Sequence, residues 1–335
     1  MKASIKAISY YLPPDKYTNA DYFNDFPEQL NNTNIARLGI RERRIVAPQH
    51  TASDLAVESA NRLFEEHGID KNDIDFVIFC AQEFDYYAPP TACIIQDRLG
   101  IPQQAGTIDV NQGCSGYAYG LGLAKGLVEA CERKNVLLLT ASTLTKKIHQ
   151  KDKSLRYLFG DGAAATLVSA GEESGIGAFV FGTDGKGADK TIVRDGGARN
   201  PITAASTKEI QDDYGSITSA ANFYMNGTAL FNFSLRRVPL MISELLEKSN
   251  KKLEDIDLFV FHQTNQFMND TLRKKIGIPE EKFVNYLENC GNTVSSTIPI
   301  ALCESIKSGK AQKGQTILLA GFGAGLSWSA TIIKL

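Results

Sequence analysis

A single cysteine lies where an apolar stretch of the chain gives way to a helical pattern. Cys114 occurs in Asp109-Val-Asn-Gln-Gly-Cys-Ser-Gly, and helical periodicity follows over residues 117–131. The sequence therefore predicts a strand-to-helix turn. The first turn of a helix exposes unpaired N–H groups and the positive end of the dipole, which favour a thiolate over a thiol. Cys114 is a candidate nucleophile, although a free cysteine is also often an inert part of a core.

Three other segments place polar residues or glycines directly after apolar stretches. His262 follows the strand-like run that ends at Phe261, and the ends of parallel strands are where α/β sheets build their sites. Asn292 follows Gly291 in a turn before a helix, where it could equally be a helix cap. Residues 321–328 form a glycine-rich turn whose spacing is not that of a dinucleotide fingerprint. Taken singly, each feature also has a purely structural interpretation.

The elements that would position these residues recur in a faint internal repeat. Residues 71–82 parallel residues 253–264, because both follow an amphipathic helical pattern, begin with an acidic turn and end in an apolar strand. The parallel continues downstream and places Cys114 and Asn292 at equivalent helix starts. The repeat is far longer than the roughly 20 to 50 residues of a solenoid unit, so it indicates two fused α/β halves.

The repeat suggests three regions along the chain. Residues 1–170 are predicted to form the half that carries the cysteine, and residues 223–335 the half that carries the histidine and the asparagine. Both halves should contain mixed sheets covered by helices. Residues 171–222, rich in Gly, Asp, Thr and Ser from residue 182 onward, are predicted to form loops or a hairpin that cap the pocket.

Composition excludes several classes of protein. The 335 residues carry a formal charge of -2 with dispersed Lys and Arg, which leaves no large basic face for nucleic acid or an anionic membrane. Six cysteines without a Cys-x-x-Cys pair and only four histidines predict neither a zinc site nor a disulfide framework, hence a reduced, cytoplasmic protein. No run approaches the roughly 18 apolar residues of a membrane span, and we expect no N-terminal leader.

One local cluster of arginines could still bind an anion. Arg37, Arg41, Arg43 and Arg44 lie within eight positions of one another around Gly39-Ile-Arg-Glu-Arg. Guanidinium groups in such a cluster could hold phosphates. Charge alone favours the alternative, in which the cluster is a solvated, salt-bridged turn.

Taken together, these features resemble the β-ketoacyl-acyl-carrier-protein synthase III family of the thiolase-like superfamily. The resemblance covers almost the whole chain. The segments that carry it are Tyr11-Leu-Pro, Thr18-Asn-Ala, Gly39-Ile-Arg-Glu-Arg, the Cys114 helix, Phe159-Gly-Asp-Gly-Ala, His262-Gln-Thr-Asn, Gly291-Asn-Thr and the terminal glycine loop. It implies an α/β, thiolase-like, duplicated five-layer αβαβα fold with two central mixed sheets, usually in a homodimer.

The resemblance also implies a chemistry and the residues that perform it. Cys114 would be acylated by an acyl-CoA, and His262 and Asn292 would hold the carbonyl oxygen of a malonyl thioester during decarboxylation. Backbone N–H groups of Cys114 and Ala324 would stabilise the oxyanion. The reaction would be a decarboxylative Claisen condensation, needing neither cofactor nor metal, that gives a 3-oxoacyl thioester in fatty-acid initiation. Asp161, in Phe-Gly-Asp-Gly, is expected to be structural.

An alternative function stays open at this point. The chain could be a diverged synthase of specialised acyl or polyketide metabolism with a larger or hydroxylated primer, or an enzyme that transfers an acyl group without decarboxylation. The sequence does not decide between malonyl-acyl-carrier-protein and malonyl-CoA. It also leaves the primer and the need for a second, different subunit undecided.

Binding residues are implied by the resemblance position by position. Arg37, Lys153 and Asn265 are the candidates for binding CoA, with Lys153 standing where the family has an arginine. The family's adenine-stacking tryptophan corresponds to Thr33, so one stacking platform is missing. A lysine keeps the charge of an arginine but not its planar, stacking fork. We therefore expect CoA to bind more weakly or in another pose.

The acyl pocket and the carrier-protein surface also differ from the family. Ala88 replaces a phenylalanine that reaches the pocket across the dimer, so we expect a larger primer unless neighbouring Tyr87 and Pro89 refill the space. Phe267 and Asn232 replace basic docking residues. The remaining candidates for docking an acyl carrier protein are Arg236, Arg237, Lys274 and Lys275.

Overall fold

Apolar strands alternate with amphipathic helices along the whole chain, and the computed structural model describes all 335 residues. The first half contains β1 (Lys2–Tyr11), β2 (Asp15–Thr18), α1 (Asn19–Asp25), α2 (Thr33–Ala36), β3 (Glu42–Ile45), α3 (Ala52–His67), β4 (Phe76–Ala81), α4 (Thr91–Leu99), β5 (Gly106–Asn111), α5 (Gly116–Ala130), β6 (Asn135–Ser142) and β7 (Gly162–Gly171). The second half contains β8 (Ile176–Thr183), β9 (Thr191–Val193), β10 (Ile210–Gln211), β11 (Ile217–Thr218), β12 (Phe223–Met225), α6 (Gly227–Lys248), β13 (Leu258–Phe261), α7 (Gln266–Ile276), α8 (Thr297–Lys307), β14 (Thr316–Gly323) and β15 (Ser327–Lys334).

Two mixed sheets form the centre of the molecule. Their strand orders are β1-β7-β6-β4-β5 and β8-β15-β14-β13. In the first sheet β4 pairs in parallel with β5 and β6, and β7 runs antiparallel to its neighbours. Helices α5 and α8 lie between the sheets, α3 and α4 cover the outer face of the first, and α6 and α7 cover that of the second. This is the five-layer αβαβα arrangement, so the predicted fold class is confirmed.

The duplication is visible element by element. Short 3₁₀ turns at Lys71–Asp73 and Leu253–Asp255 precede β4 and β13. Helices α5 and α8 follow, and then β6 and β14, each paired antiparallel with the next strand. The second copy lacks a full counterpart of β5, where a single bridge between Phe259 and Phe283 remains. Because the copies are related in this way, the starts of α5 and α8 face the same space between the sheets.

Apolar burial on both sides of each sheet holds these layers in place. The middle layer buries Leu121 on α5 and Ile298 on α8 against strands of both sheets, and both residues are fully buried. Each apolar side chain of this kind contributes about 1.5 to 3 kcal/mol when it is removed from water. Helix α3 begins at a capping box of Thr51 and Asp54 and ends at Gly68, whose φ of 60° suits glycine. The site at the start of α5 is therefore carried by a rigid layer.

The capping region begins later than the sequence predicts. Residues Ile176–Thr183 form β8, an edge strand of the second sheet paired with β15, because an apolar run including Phe179 and Val180 packs there. The irregular part follows β8 and contains two small ribbons, β9 with β12 and β10 with β11. No helix combines the length and the apolar character that crossing a membrane requires.

Candidate active site

A cavity of about 140 Å³ opens at the turn between β5 and α5 and contains Cys114. Helix α5 begins at Gly116 with Ser115 as its N-cap, so the predicted strand-to-helix turn is present. The cavity is mainly apolar, with a few polar groups near the sulfur. Its lining residues are Gln82, Cys114, Leu144, Leu158, Phe159, Thr191, Phe223, Met225, Gly227, Leu230, Phe231, Ser234, His262, Thr264, Asn265, Met268, Asn292, Val294, Phe322, Gly323 and Ala324. The site thus draws on both halves of the chain.

The environment of the sulfur raises its pKa. Burial raises the pKa of the Cys114 thiol to about 12, and the backbone N–H groups of Ala324 and Cys114, which donate toward the sulfur, only partly oppose this. The loss of hydration penalises the charged form more than these N–H groups stabilise it. The helix start favours a thiolate, whereas burial favours the thiol, so a proton acceptor near the sulfur would assist its attack.

The glycine loop approaches the nucleophile closely. A Cβ on Gly323 would lie 2.9 Å from Cys114 Cβ and 3.0 Å from its Sγ, and a Cβ on Gly321 would lie 2.7 Å from the Cys114 carbonyl oxygen. Glycine at these two positions therefore permits the backbone of β14 to pack against the Cys114 turn. The N–H of Ala324 reaches the sulfur as a result.

Serine hydroxyls tie this loop to the start of α5. Ser327 Oγ donates to the Ala324 carbonyl at 2.7 Å and lies 2.7 Å from Ser115 Oγ. Ser329 Oγ donates to the Ser115 carbonyl at 2.7 Å. All three serines are buried. The network fixes the Ala324 backbone relative to Cys114.

His262 lies at the end of β13 and is neutral. Burial lowers the pKa of its imidazole to about 3, because no carboxylate compensates the charge of an imidazolium there. Its Nδ1 is 2.6 Å from Thr297 Oγ1, and Thr297 Oγ1 donates to the Val294 carbonyl at 3.0 Å. The hydroxyl has a single proton: when it donates to the carbonyl it accepts from Nδ1–H and the cavity-facing nitrogen is an acceptor, and when it turns to donate to Nδ1 the cavity-facing nitrogen carries the proton and can donate. Thr297 therefore sets the role of the His262 ring.

Asn292 is oriented through its own turn. The Val294 N–H donates to Asn292 Oδ1 at 2.9 Å. The carbonyl end of the amide is thus occupied, and the NH₂ end remains as a donor. Val294 has φ of 55°, a left-handed conformation that is strained for a β-branched residue and that aims its N–H at this oxygen. The local strain has a clear result, because it fixes which end of the amide can donate.

The Phe159-Gly-Asp-Gly segment supports this turn from behind. Backbone hydrogen bonds join Gly160 N to Asn292 O and Asn292 N to Leu158 O. A Cβ on Gly160 would overlap the Cys290 carbonyl oxygen, so no larger residue fits. Asp161 does not line the cavity and instead accepts hydrogen bonds from the backbone N–H groups of Val46 and Thr145.

Two groups of the site, one lining the cavity and one behind His262, are not found by the sequence analysis. Gln82 lines the cavity at the end of β4, in the repeat position that corresponds to Thr264, which lines it too. The internal repeat could therefore have identified Gln82 as a site residue. Nothing in the sequence identifies Thr297, since a threonine at a helix start is commonly only a cap.

The three residues expected to bind CoA occupy different environments. Asn265 lines the cavity and caps α7 by accepting from Met268 N. Arg37 is exposed just after α2, with its guanidinium 4.7 Å from the centre of the Phe267 ring. Lys153 Nζ forms an ion pair with Glu28 at 2.7 Å, so its charge is already compensated.

The expected acyl-pocket residues lie outside the cavity of a single chain. Tyr87, Ala88 and Pro89 are on an exposed loop before α4, and 84% of Tyr87 is exposed. Their predicted role requires a second subunit, as the resemblance implied.

The candidates for docking an acyl carrier protein differ in their exposure and in their ion pairing. Arg236 on α6 is exposed, as are Lys274 and Lys275 in the last turn of α7. Arg237 lies over the Trp328 ring at 4.3 Å and pairs with Glu244 at 3.0 Å. Arg237 is therefore less available to a partner than the exposed basic residues.

The other arginines of the early cluster serve the fold. Arg43 is fully buried and donates to the Tyr157 carbonyl. Arg44 donates to the Asn289 and Pro13 carbonyls, and Arg41 pairs with Glu288. The salt-bridged alternative holds for Arg41 and for Arg44, which also pairs with Glu42, whereas Arg43 is buried and makes no ion pair. All six cysteines are free, and no cluster of three or more His, Cys, Asp or Glu side chains could hold a metal ion.

Comparisons with known proteins agree with this geometry. The family model of 3-oxoacyl-[acyl-carrier-protein] synthase III matches residues 108–185, and that of its C-terminal part matches residues 246–335. A β-ketoacyl-[acyl-carrier-protein] synthase III of Clostridium perfringens is 37% identical over 334 residues, covering 99% of both chains. The crystal structure of a 3-oxoacyl-(acyl-carrier-protein) synthase III is 48% identical over all of both chains with a TM-score of 0.98. That of a Thermus thermophilus β-ketoacyl-[acyl carrier protein] synthase III is 33% identical over 99% of both chains with a TM-score of 0.87.

Proposed function

The chain belongs to the 3-oxoacyl-[acyl-carrier-protein] synthase III family, and we propose that Cys114, His262 and Asn292 perform its reaction in this protein. The enzyme is an acyltransferase that joins an acyl group to a malonyl thioester and begins fatty-acid synthesis. One observation carries the assignment of residues. A thiol at a helix start, a neutral histidine and an amide with a free NH₂ group line one cavity.

In the first half-reaction, the Cys114 sulfur attacks the carbonyl carbon of an acyl-CoA. A new S–C bond forms, the bond to the CoA sulfur breaks, and the thiol proton is transferred overall to the departing CoA. His262 is the only other ionisable side chain that lines the cavity. When Thr297 donates to the Val294 carbonyl and accepts from Nδ1–H, the cavity-facing nitrogen of the neutral imidazole is unprotonated, so it can accept the thiol proton while the sulfur attacks and return it to the leaving group.

In the second half-reaction, a malonyl thioester loses carbon dioxide and leaves an enolate. We propose that the Asn292 NH₂ group and the cavity-facing nitrogen of His262 donate to the enolate oxygen. This requires the other tautomer, in which the Thr297 hydroxyl turns from the Val294 carbonyl and donates to Nδ1 at the 2.6 Å separation given above. One such donor typically contributes about 2.7 to 4 kcal/mol of transition-state stabilisation.

The enolate carbon then attacks the acyl group on Cys114. The oxygen of the tetrahedral intermediate would accept from the N–H groups of Ala324 and Cys114, which already donate toward the sulfur. Collapse of the intermediate forms the 3-oxoacyl thioester and expels the Cys114 thiolate, which takes up a proton. The thiol is restored for another cycle.

The substrates follow from the family. We propose that the acyl donor is an acyl-CoA and that the malonyl group is carried by an acyl carrier protein. The proposed steps use only side chains and backbone groups of this chain, so no cofactor is assigned. We also assign the enzyme to the cytoplasm, where fatty-acid synthesis finds its CoA thioesters.

A homodimer is the proposed assembly. Strand β5 is an edge strand with one unpaired side, and its Ile108 is 42% exposed. Such an edge invites pairing with another copy. The same arrangement would cover the loop that contains Tyr87, Ala88 and Pro89. Light scattering should give about twice the 36.6 kDa of one chain, and a monomer would contradict the proposal.

Intact-mass analysis tests the assignment of the nucleophile. Wild-type protein exposed to a panel of acyl-CoAs should gain one acyl group, and Cys114→Ala should gain none. Addition of malonyl-acyl-carrier-protein should then release carbon dioxide and remove the acyl group. An adduct on Cys114→Ala would refute the role of this residue. The panel also identifies the primer, and exclusive use of acetyl-CoA would refute a pocket enlarged at Ala88.

A further inference from the structure

The ribbon of β9 and β12 forms part of the wall of the Cys114 cavity. Val193 pairs with Phe223, and Thr191 pairs with Met225. Paired side chains of antiparallel strands lie on the same face, as do residues two apart, so all four share one face of the ribbon. On that face Phe223 is buried in an apolar cluster, against which Val193, Met225 and Cys114 also pack. Thr191 is therefore the one hydroxyl-bearing residue on an otherwise apolar face.

The Thr191 hydroxyl has no hydrogen-bond partner in the protein. Its Oγ1 is buried and unpaired, although the residue lines the cavity. The other two hydroxyl groups of the cavity wall are paired, because Ser234 Oγ donates to the Leu230 carbonyl at 2.7 Å and Thr264 Oγ1 donates to Asn269 Oδ1 at 3.2 Å. An unpaired buried hydroxyl is destabilising, so most such groups in native proteins have a partner. The cavity is the place from which a ligand can supply one.

The character of the cavity limits what that partner can be. No Lys, Arg, Asp or Glu side chain lines the cavity, so a charged acyl group would lose its hydration there without a counter-ion. The volume of about 140 Å³ is close to that of a cavity that holds benzene, which corresponds to about six non-hydrogen atoms. The partner of Thr191 is therefore a neutral oxygen on a short acyl chain.

We propose that Thr191 selects a short, neutral primer that carries a hydroxyl group, to which its Oγ1 hydrogen-bonds. The inference rests on the proposed acylation of Cys114 by an acyl-CoA and leaves both half-reactions unchanged. A threonine hydroxyl both donates and accepts, so it can pair with an alcohol in either direction. Its Oγ1 is covered by protein atoms, and a change of the χ1 rotamer can turn it toward the cavity when a partner is present.

The amide of Gln82 is less suited to this selection. It also lines the cavity, but the residue is exposed and its Oε1 packs against Gly113. Water can therefore bond to this amide whether or not the primer carries an oxygen, and a polar primer gains little there. The buried Thr191 hydroxyl has no such alternative partner.

Competition between two primers tests the role of Thr191. The protein receives an equal mixture of butyryl-CoA and 3-hydroxybutyryl-CoA, whose acyl groups differ by one oxygen atom, with each enantiomer of the hydroxyacyl compound used in turn. Intact-mass analysis distinguishes the two adducts on Cys114 and gives the ratio of their acylation rates. Acetyl-CoA alone is the reference primer.

Three variants accompany the wild-type protein. Thr191→Val replaces the hydroxyl by a methyl group, and Thr191→Ser keeps the hydroxyl. Thr218→Val is the matched control, because Thr218 Oγ1 is also buried and unpaired but the residue does not line the cavity.

We expect the wild-type protein to load one enantiomer of 3-hydroxybutyryl about five- to tenfold faster than butyryl, the range for one neutral hydrogen bond. Thr191→Val should lose this preference, and Thr191→Ser should keep most of it. Thr218→Val should retain the wild-type ratio.

Several results would overturn the assignment while the proposed function stands. They are equal loading of the two primers by the wild-type protein, a preference that persists in Thr191→Val, a preference lost equally in Thr218→Val, and loading by acetyl-CoA alone. A wild-type protein that gains no acyl group from any of the three compounds would instead refute the proposed function, on which the assignment rests.

Discussion

Replacement of Asn292 by Asp separates the two half-reactions in this site. The carboxylate has nearly the shape of the amide, and its Oδ1 can still accept from the Val294 N–H at 2.9 Å. The local turn should therefore survive. The change removes the NH₂ donor and puts a second oxygen where the enolate oxygen develops. It thus tests the donor role with little change in packing.

The expected loss in the rate of condensation follows from the number of hydrogen-bond donors removed. One oxyanion donor is worth about 2.7 to 4 kcal/mol, which corresponds to a factor of about 10² to 10³ in rate. A negative charge beside the enolate should increase this loss. Acylation of Cys114 does not use the amide in the proposed mechanism, so its rate should change by less than about threefold. The defect should thus appear in condensation alone.

The assay measures the two steps separately on the same preparation. Rapid quench and intact-mass analysis give the rate of Cys114 acylation, and labelled carbon dioxide gives the rate of malonyl decarboxylation. Asn292→Ala is the companion variant, because it removes the donor without adding a charge and should be less impaired than Asn292→Asp. Parallel loss of acylation and decarboxylation, or decarboxylation at the wild-type rate, would refute the donor role.

Three further changes test other parts of the site. Thr297→Val leaves the buried Nδ1 of His262 without a partner and should slow decarboxylation about 5- to 100-fold, whereas Thr297→Ser should restore most of the rate; equal rates in the two variants would contradict this. Ser327→Ala removes the hydroxyl that holds the Ala324 carbonyl and should lower kcat about tenfold without changing KM for acyl-CoA, and a change in KM alone would argue against a role in the oxyanion site. Burial raises the pKa of the Glu83 carboxyl from 4.5 to about 7, so the unfolded chain releases this proton first and the free energy of unfolding falls as pH rises through that range. The free energy of unfolding of Glu83→Gln, measured in urea relative to wild type, should therefore rise by up to about 3 kcal/mol from pH 4 to pH 8. The same difference from wild type at both pH values would contradict this.

The sequence predicts the architecture well because the duplication is visible in its pattern of acidic and apolar residues. Two copies of an acidic turn followed by an apolar strand indicate equivalent elements, and the structure places β4 and β13 at those positions. Buried strands have a strong compositional signal. The sequence pattern does not reveal the edge strand β8, because glycines interrupt its apolar run at Gly177 and Gly182 and loop propensity prevails until the pairing with β15 is known.

The site was predictable in its reacting groups but not in their ionisation. The types of Cys114, His262 and Asn292 and their places after apolar runs are visible in the sequence. The raised pKa of the thiol and the lowered pKa of the imidazole arise from burial among residues distant in the chain. Neither Thr297 nor Ser327 carries a local signal, since His262 lies 35 positions from Thr297 and Ser115 lies 212 positions from Ser327.

The duplicated fold gives a physical reason for dividing the chemistry between the halves. The start of α5 supplies the nucleophile, and the turn before α8 supplies an amide donor at the equivalent position of the other half. The condensation needs two activated carbonyl groups, an electrophilic acyl group on sulfur and a malonyl group that becomes an enolate. The first oxygen-binding centre joins the two halves, because it combines the Cys114 N–H of the first half with the Ala324 N–H of the second, whereas Asn292 and His262 of the second half form the other centre. Because the turns that carry Cys114 and Asn292 precede α5 and α8, both in the packed middle layer, the separation of the two centres is fixed by the core and not by a flexible loop.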